Sequence, residues 1–186
     1  MTHEEKTLFR EGFKKLKLDL AKHQEEQLEF FLQSMLNENK KFNLTGITDP
    51  REAIIKHLFD SLSVAKEIRA SSIADIGSGA GFPGIPLKIM WPGLKVTLIE
   101  STRKKADFLR LVSQSLGLSD MTICNDRSES AAHAPSMRES FDVVVARAIA
   151  NLSTLAELTI PFCRVGGKVI AYKNVGITNE IDESLE

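Results

Sequence analysis

The chain has 186 residues, a formal net charge of -1, 42% apolar and 26% charged residues, which suits one globular unit with a core of its own. So balanced a charge excludes a generally basic nucleic-acid coat, because phosphate binding draws most of its affinity from lysine and arginine; only local basic patches stay open. No apolar run reaches the roughly 20 residues of a membrane span, and the acidic start Met1-Thr2-His3-Glu4-Glu5 does not read as a secretory signal, so a cytoplasmic location is expected.

Thr2 with Glu5 three residues later has the pattern of a capping box and opens a helix carrying Leu8, Phe9, Phe13 and Leu16 inward. A second helix over Lys22 to Asn39 buries Leu28, Phe31, Leu32, Met35 and Leu36 at three-and-four spacing. The periodicity breaks from Asn37 to Thr48, and Asp49-Pro50-Arg51-Glu52 supplies an N-cap, a proline at the first helical position and an acid at the third. That third helix presents Ile54, Ile55, Leu58, Phe59, Leu62 and Val64 inward. Residues 1–70 therefore read as an all-helical segment, and residues 71–186 as a separate core of alternating strand and helix.

The core begins with a buried strand, Ile73 to Ile76, that runs into Gly77-Ser78-Gly79-Ala80-Gly81-Phe82-Pro83-Gly84 and then a helix. Strands follow at Lys95 to Glu100, Met121 to Cys124, Phe141 to Ala146 and Lys168 to Tyr172. Helices are expected from Thr102 to Leu116, stopped by Gly117, and from Asn151 to Phe162, with Gly166-Gly167 making the turn into the last strand. Continuous Val/Ile strands separated by helices predict a mostly parallel, doubly wound α/β sheet covered on both faces.

The glycine stretch is the candidate site. Gly77, Gly79 and Gly81 at alternate positions leave a turn almost without side chains, which lets backbone N–H groups approach a ligand. Gly79-Ala80-Gly81-Phe82-Pro83-Gly84 satisfies the dinucleotide spacing, and Glu100 closes strand two where an acid would take ribose hydroxyls. Both features serve S-adenosylmethionine equally well. Glycines that begin directly after the strand, Asp75 before them, and prolines at 83 and 86 favour the methyltransferase arrangement over a pyrophosphate-binding helix. A methylase of small molecules or proteins, and a binding protein without catalysis, are the competing readings.

Asn43-Leu44-Thr45, His57-Leu58-Phe59-Asp60-Ser61-Leu62, Asp75 to Pro86, Arg127-Ser128-Glu129, Ala146-Arg147-Ala148 and Tyr172-Lys173 together resemble the ribosomal small-subunit methyltransferase G family, also called glucose-inhibited division protein B. The resemblance runs from about Asn37 to Lys173. It implies a Rossmann-like S-adenosylmethionine-dependent methyltransferase sheet behind an N-terminal helical segment, methylation of N7 of a guanine in 16S ribosomal RNA, and the small ribosomal subunit or its RNA as partner. It also implies that Gly77, Phe82, Ser128, Glu129 and Arg147 fall on cofactor-contacting positions, and that the family's C-terminal strands are missing.

The chemistry is compatible. Guanine N7 has a free lone pair, so its attack on a sulfonium methyl needs positioning and electrostatics rather than a general base, and no catalytic acid or base is assigned. Arg147, just past strand four, belongs at the carboxyl edge, where a guanidinium can fork onto a carboxylate, a phosphate or guanine O6. His57 and Asp60, three apart on one helix, read as a structural hydrogen bond. Lys173, Arg103 and Lys104 are candidates for RNA phosphate contact. Cys124 and Cys163 stand apart and His3, His23, His57 and His133 make no ligand spacing, so reduced thiols and no metal are expected. Strand five reads as a sheet edge that pairs with another copy, followed by a weak acidic tail from Ile177 to Glu186.

Overall fold

The computed structural model describes residues 1–68, 70–147 and 151–173. Helix α1 (His3–Leu16) opens on the capping box: Thr2 Oγ1 accepts from Glu5 N–H at 3.2 Å, and the Glu5 carboxylate accepts from Thr2 N–H at 2.8 Å. Helix α2 spans Lys22–Asn39. Asp49 caps α3 (Pro50–Glu52) by accepting from Glu52 N–H at 2.9 Å. Beyond Glu52 the winding widens into a π-helical segment, Ala53–Phe59, before closing as α4 (Asp60–Ser63). A π turn bonds i to i+5 and shifts the helical phase. That shift is why Ile55, expected inward, is half exposed, while Ile54, Leu58 and Leu62 are buried.

Five strands, β1 (Ser72–Ile76), β2 (Lys95–Ile99), β3 (Met121–Cys124), β4 (Phe141–Arg147) and β5 (Cys163–Tyr172), form an all-parallel sheet in the order β3-β2-β1-β4-β5. Helices α5 (Gly84–Met90), α6 (Arg103–Ser115), α7 (Ser128–Ala131) and α8 (Leu152–Thr159) make the connections. Because β1 is central, with β2 and β3 on one flank and β4 and β5 on the other, its carboxyl end is the switch point where doubly wound sheets bind ligands.

Successive strand residues feed opposite faces. Ile73, Val96, Leu98, Val143 and Val145 join Phe9, Leu28 and Phe31 in one core, so the N-terminal helices bury their apolar stripes on a face of the sheet. Ala74, Ile76, Val144, Leu155 and Phe162 form the core of the other face. Two glutamines of α2 reinforce the docking by satisfying carbonyls at the ends of other helices: Gln24 Nε2 donates to Ile89 O and Met90 O at 3.0 and 3.1 Å, and Gln27 Nε2 to Leu116 O at 3.0 Å. At the amino edge Asp142 accepts from Ser71 and Ser72 and from Arg164, bonds that hold its carboxyl well below the usual carboxylate range.

The final strand differs from the expectation. It begins at Cys163, and Gly166 and Gly167 lie within it: Phe141 pairs Cys163 while Val143 pairs Lys168, so the extra residues bulge out instead of forming a separate turn. Gly166 takes φ +78°, which glycine accepts readily. Nor is the end of β5 bare, since the Tyr172 hydroxyl donates to Ser61 O of α4 at 2.8 Å. The expected tail, Ile177 to Glu186, and Ala148 to Ala150 lie outside the described residues.

Candidate functional site

The loop after β1 is built to keep side chains away. Gly77, Gly79 and Gly81 all adopt positive φ, +69°, +56° and +96°, a region where a side chain would be strained. Gly77 and Ser78 N–H donate to Ile99 O at 2.9 and 3.1 Å, extending the β1–β2 ladder, and Gly81 N–H donates to Ser78 O at 2.7 Å. A Cβ at Gly79 would meet nothing closer than Gly77 O at 3.8 Å, so the space above that residue is open.

Glu100 lies beneath this loop and is 6% exposed. One carboxylate oxygen accepts from Gly79 N–H at 2.9 Å and the other from Thr102 N–H at 2.7 Å. Its first task in the fold is therefore to hold the glycine loop against the start of α6, a role the sequence did not reveal. Asn125 braces the same corner, donating to Glu100 O and Ser101 O.

Beside the loop, a cleft of about 300 Å³ is lined by Gly77, Ser101, Asp126, Arg127, Ser128 and Glu129 over an apolar floor of Ile76 and Ile99. Its lining fits an adenosine portion: carboxylates and hydroxyls suit ribose hydroxyls and an exocyclic amine, the aliphatic floor suits a purine face, and the glycine cradle leaves room for a chain. Ser128 Oγ donates to Glu129 Oε2 at 3.2 Å. Asp126 was not among the expected residues. It lies two residues after β3, and Glu100 one residue after β2, so the carboxyl-edge rule could have found it. A larger cavity, about 560 Å³, is lined by residues of α1, α2, α3 and the π segment, among them Leu32, Leu36 and Ile54; it is a gap between helices and includes none of the glycine-loop residues.

On the other flank of the loop the groups are closed in. Phe82 is 2% exposed, between Phe31 (centroids 4.8 Å) and the His57 ring, which stacks on it at 4.7 Å and 20°. Arg147, at the end of β4, lies 5.4 Å from the Phe82 centroid. Its Nη1 donates to Lys56 O at 3.0 Å and to Asp60 Oδ2 at 3.4 Å, and its Nη2 to His57 Nδ1 at 2.9 Å. Burial, and then the Arg147 charge, push the His57 pKa down to about 4, so the ring is neutral near pH 7. Asp75, fully buried on β1, accepts from Gly84 N–H at 2.9 Å through Oδ2, while Oδ1 has no partner among the described residues. Burial raises its pKa to about 7 against the opposing pull of Gly84 N–H and Arg147.

The expected residues thus fall into three groups. Gly77, Ser128 and Glu129 line the cleft, with Gly79, Gly81 and Glu100 forming its loop and support. Phe82 and Arg147 belong to the closed cluster. Arg103 and Lys104 are exposed at the start of α6, with Arg103 Nε 4.0 Å from Asp107, whereas Lys173 follows β5 on the opposite flank of the sheet, so the proposed RNA contacts are not one patch.

Solved structures agree with the fold. The O-methyltransferase from Bacillus cereus in complex with SAH matches with TM-score 0.58 at 20% identity, covering 83% of this chain and 76% of that one. The ribosomal protein L11 methylase from Lactobacillus delbrueckii matches with TM-score 0.56 at 18% identity, covering 70% and 66%. Closer likeness lies in sequence. The ribosomal RNA small subunit methyltransferase G of Bacillus cytotoxicus is 45% identical over 168 residues, 89% of this chain and 70% of that protein, and the Bacillus thuringiensis protein of the same name is 44% identical over the same shares. The family model for rRNA small subunit methyltransferase G matches residues 24–185. With a glycine cradle at the switch point of a methyltransferase-type sheet and this extent of matching sequence, the chain belongs to the rRNA small subunit methyltransferase G family.

Proposed function

We propose that the protein transfers the methyl group of S-adenosylmethionine to N7 of a guanine in 16S ribosomal RNA. The observation that carries this reading is the polar cleft beside three positive-φ glycines, at the switch point of a sheet whose sequence belongs to the small-subunit methyltransferase G family. S-adenosylmethionine supplies an electrophilic methyl on a sulfonium centre. Ser128, Glu129 and Asp126 bind the nucleoside portion in the cleft, Gly77, Gly79 and Gly81 admit the rest, and Glu100 keeps their backbone in place. Phe82 backs the loop from within the core.

The protein's contribution to the chemistry is orientation. N7 keeps its lone pair in the RNA base, so no proton has to be removed before attack. Arg147, held at the end of β4, presents a guanidinium to the guanine O6 or to a neighbouring phosphate, and Arg103, Lys104 and Lys173 contact the RNA backbone on the two flanks. Two finer expectations accompany this reading: the protein works in the cytoplasm, and it self-associates through the outer edge of β5, where Val165 is 88% exposed. Light scattering across a dilution series tests the latter; a monomer at every concentration removes it.

The function itself is tested by incubating the protein with methyl-labelled S-adenosylmethionine and either small ribosomal subunits or total protein. Label entering the subunit RNA alone is expected. Label in protein, or in small molecules, overturns the assignment.

A further inference from the structure

His57 is not accounted for by binding or by chemistry, yet three features converge on it. The first is the π-helical segment Ala53–Phe59, which places His57 and the Lys56 carbonyl side by side toward β4. Such segments are rare and recur at functional positions. The second is a directed chain of hydrogen bonds. Arginine has no acceptor, so at 2.9 Å the His57 Nδ1 must offer its lone pair to Arg147 Nη2, and the ring proton must sit on Nε2. Nε2–H then donates to Thr45 Oγ1 at 2.8 Å, and Thr45 Oγ1 also accepts from Ile47 N–H at 3.2 Å. The third is the aromatic seat: Phe82 stacks on the imidazole and also lies under Arg147.

Arg147 is thereby gripped on one side only. Lys56 O, Asp60 and His57 take Nη1 and Nη2, while its Nε–H and the second Nη2 hydrogen meet no acceptor among the described residues. A half-satisfied guanidinium at a sheet's carboxyl edge is poised for a planar acceptor. A protonated ring, or the other tautomer, would turn an N–H toward the guanidinium and release it.

We infer that His57 is a positioning residue: fixed as its Nε2–H tautomer by Thr45, it aims the free side of the Arg147 guanidinium toward the reacting base or cofactor. This inference rests on the methyltransferase reading above for what Arg147 meets, but not for the state of the ring.

Two side-chain amides dissect the contact. Asparagine places its oxygen near the Nδ1 position and keeps an acceptor for Arg147; glutamine reaches the Nε2 position, keeps the Thr45 bond and loses the one to Arg147. With small ribosomal subunits as substrate, His57→Asn is expected to stay within a few-fold of wild-type kcat, whereas His57→Gln falls by about tenfold or more, in line with the cost of misplacing a reacting group. In an Arg147→Ala background, His57→Gln should cause no further loss, because its effect runs through the arginine. Equal kcat for the Asn, Gln and wild-type proteins, or a full additional loss in the Arg147→Ala background, overturns the inference.

The ring state gives an independent readout. Nitrogen NMR of the wild-type protein near pH 7 should show His57 neutral with the proton on Nε2; a proton on Nδ1 overturns the inference whether or not the protein methylates RNA. Wild-type protein that shows the expected ring state but no transfer to rRNA contradicts the proposed function instead.

Discussion

The two flanks of the glycine loop are built on opposite principles. Toward β2 and β3 the cleft is open, and Ser101, Asp126, Ser128 and Glu129 face solvent with few protein partners. Toward β4 and β5 the cluster of Phe82, His57, Arg147 and Asp75 is packed under α4 and the π segment, with hydrogen bonds that reach across 90 residues of chain. Polar groups in the open cleft gain little from the fold and are available to a ligand. Those in the closed cluster are desolvated, so their charge states and orientations are set before a ligand arrives. Substitutions in the cleft should therefore cost affinity with little stability, and substitutions in the cluster should cost both.

The largest effect is expected where the loop enters the core. A Cβ at Gly84 would collide with the Leu98 side chain and stand 2.8 Å from Asp75 Oδ2, both buried. Gly84→Ala should lower unfolding free energy by about 3 kcal/mol, the upper range for overpacking, read from urea denaturation. Gly79→Val makes the contrast. Its surroundings are open but φ is +56°, so the fold should survive a loss of about 1–2 kcal/mol while S-adenosylmethionine binding by calorimetry disappears. Near-normal binding in the folded variant would remove the loop from the site.

Arg147→Lys keeps the charge and loses the fork that reaches Lys56 O and His57 together. Methyl transfer should fall about tenfold or more, with a smaller change in thermal stability. Unchanged turnover would reduce Arg147 to an interface contact.

A subtler effect lies in pH. The folded Asp75 titrates near 7 against 3.8 for an ordinary carboxyl. In that window the folded state holds a proton the unfolded chain has released, so stability falls as pH rises. His57 does the reverse: with a folded pKa of about 4 against 6.5, it refuses a proton the unfolded chain takes, so stability falls as pH drops through that window. The two slopes oppose each other, each worth on the order of a few kcal/mol at full extent. Asp75→Asn should leave stability declining on acidification from pH 6.5 to 4, and His57→Gln should leave it rising. Parallel stability profiles for the two variants would show that the cluster does not hold these groups as described.

What the sequence made legible was local. Thr2 with Glu5, and Asp49 with Pro50, announce their helices because cap chemistry acts within one turn, and the three-and-four spacing of α2 marks Lys22–Asn39 correctly. Alternate glycines after a buried strand marked the loop for the same reason. The π segment was hidden because nothing in Ala53–Phe59 departs from ordinary helical periodicity, and the exposure of Ile55 follows from it. The bulge in β5 was missed because Gly166-Gly167 has the composition of a turn. The Glu100 bond to the loop and the His57 grip on Arg147 depend on elements that meet only in the folded sheet. His57 and Asp60 were expected to bond each other; instead both bond Arg147, and the ring bonds Thr45 as well.

The central claim is that the open flank carries the methyl donor and the closed flank aims a guanine N7 at it. The direct measurement is to treat small ribosomal subunits with the protein and S-adenosylmethionine, extract the 16S RNA, and map borohydride- and aniline-induced strand breaks, which report N7-methylguanine. A new break at one guanine, formed at least about tenfold more slowly with Arg147→Ala, is the predicted result. Labelled RNA with no such break, or breaks scattered over many guanines, would contradict it.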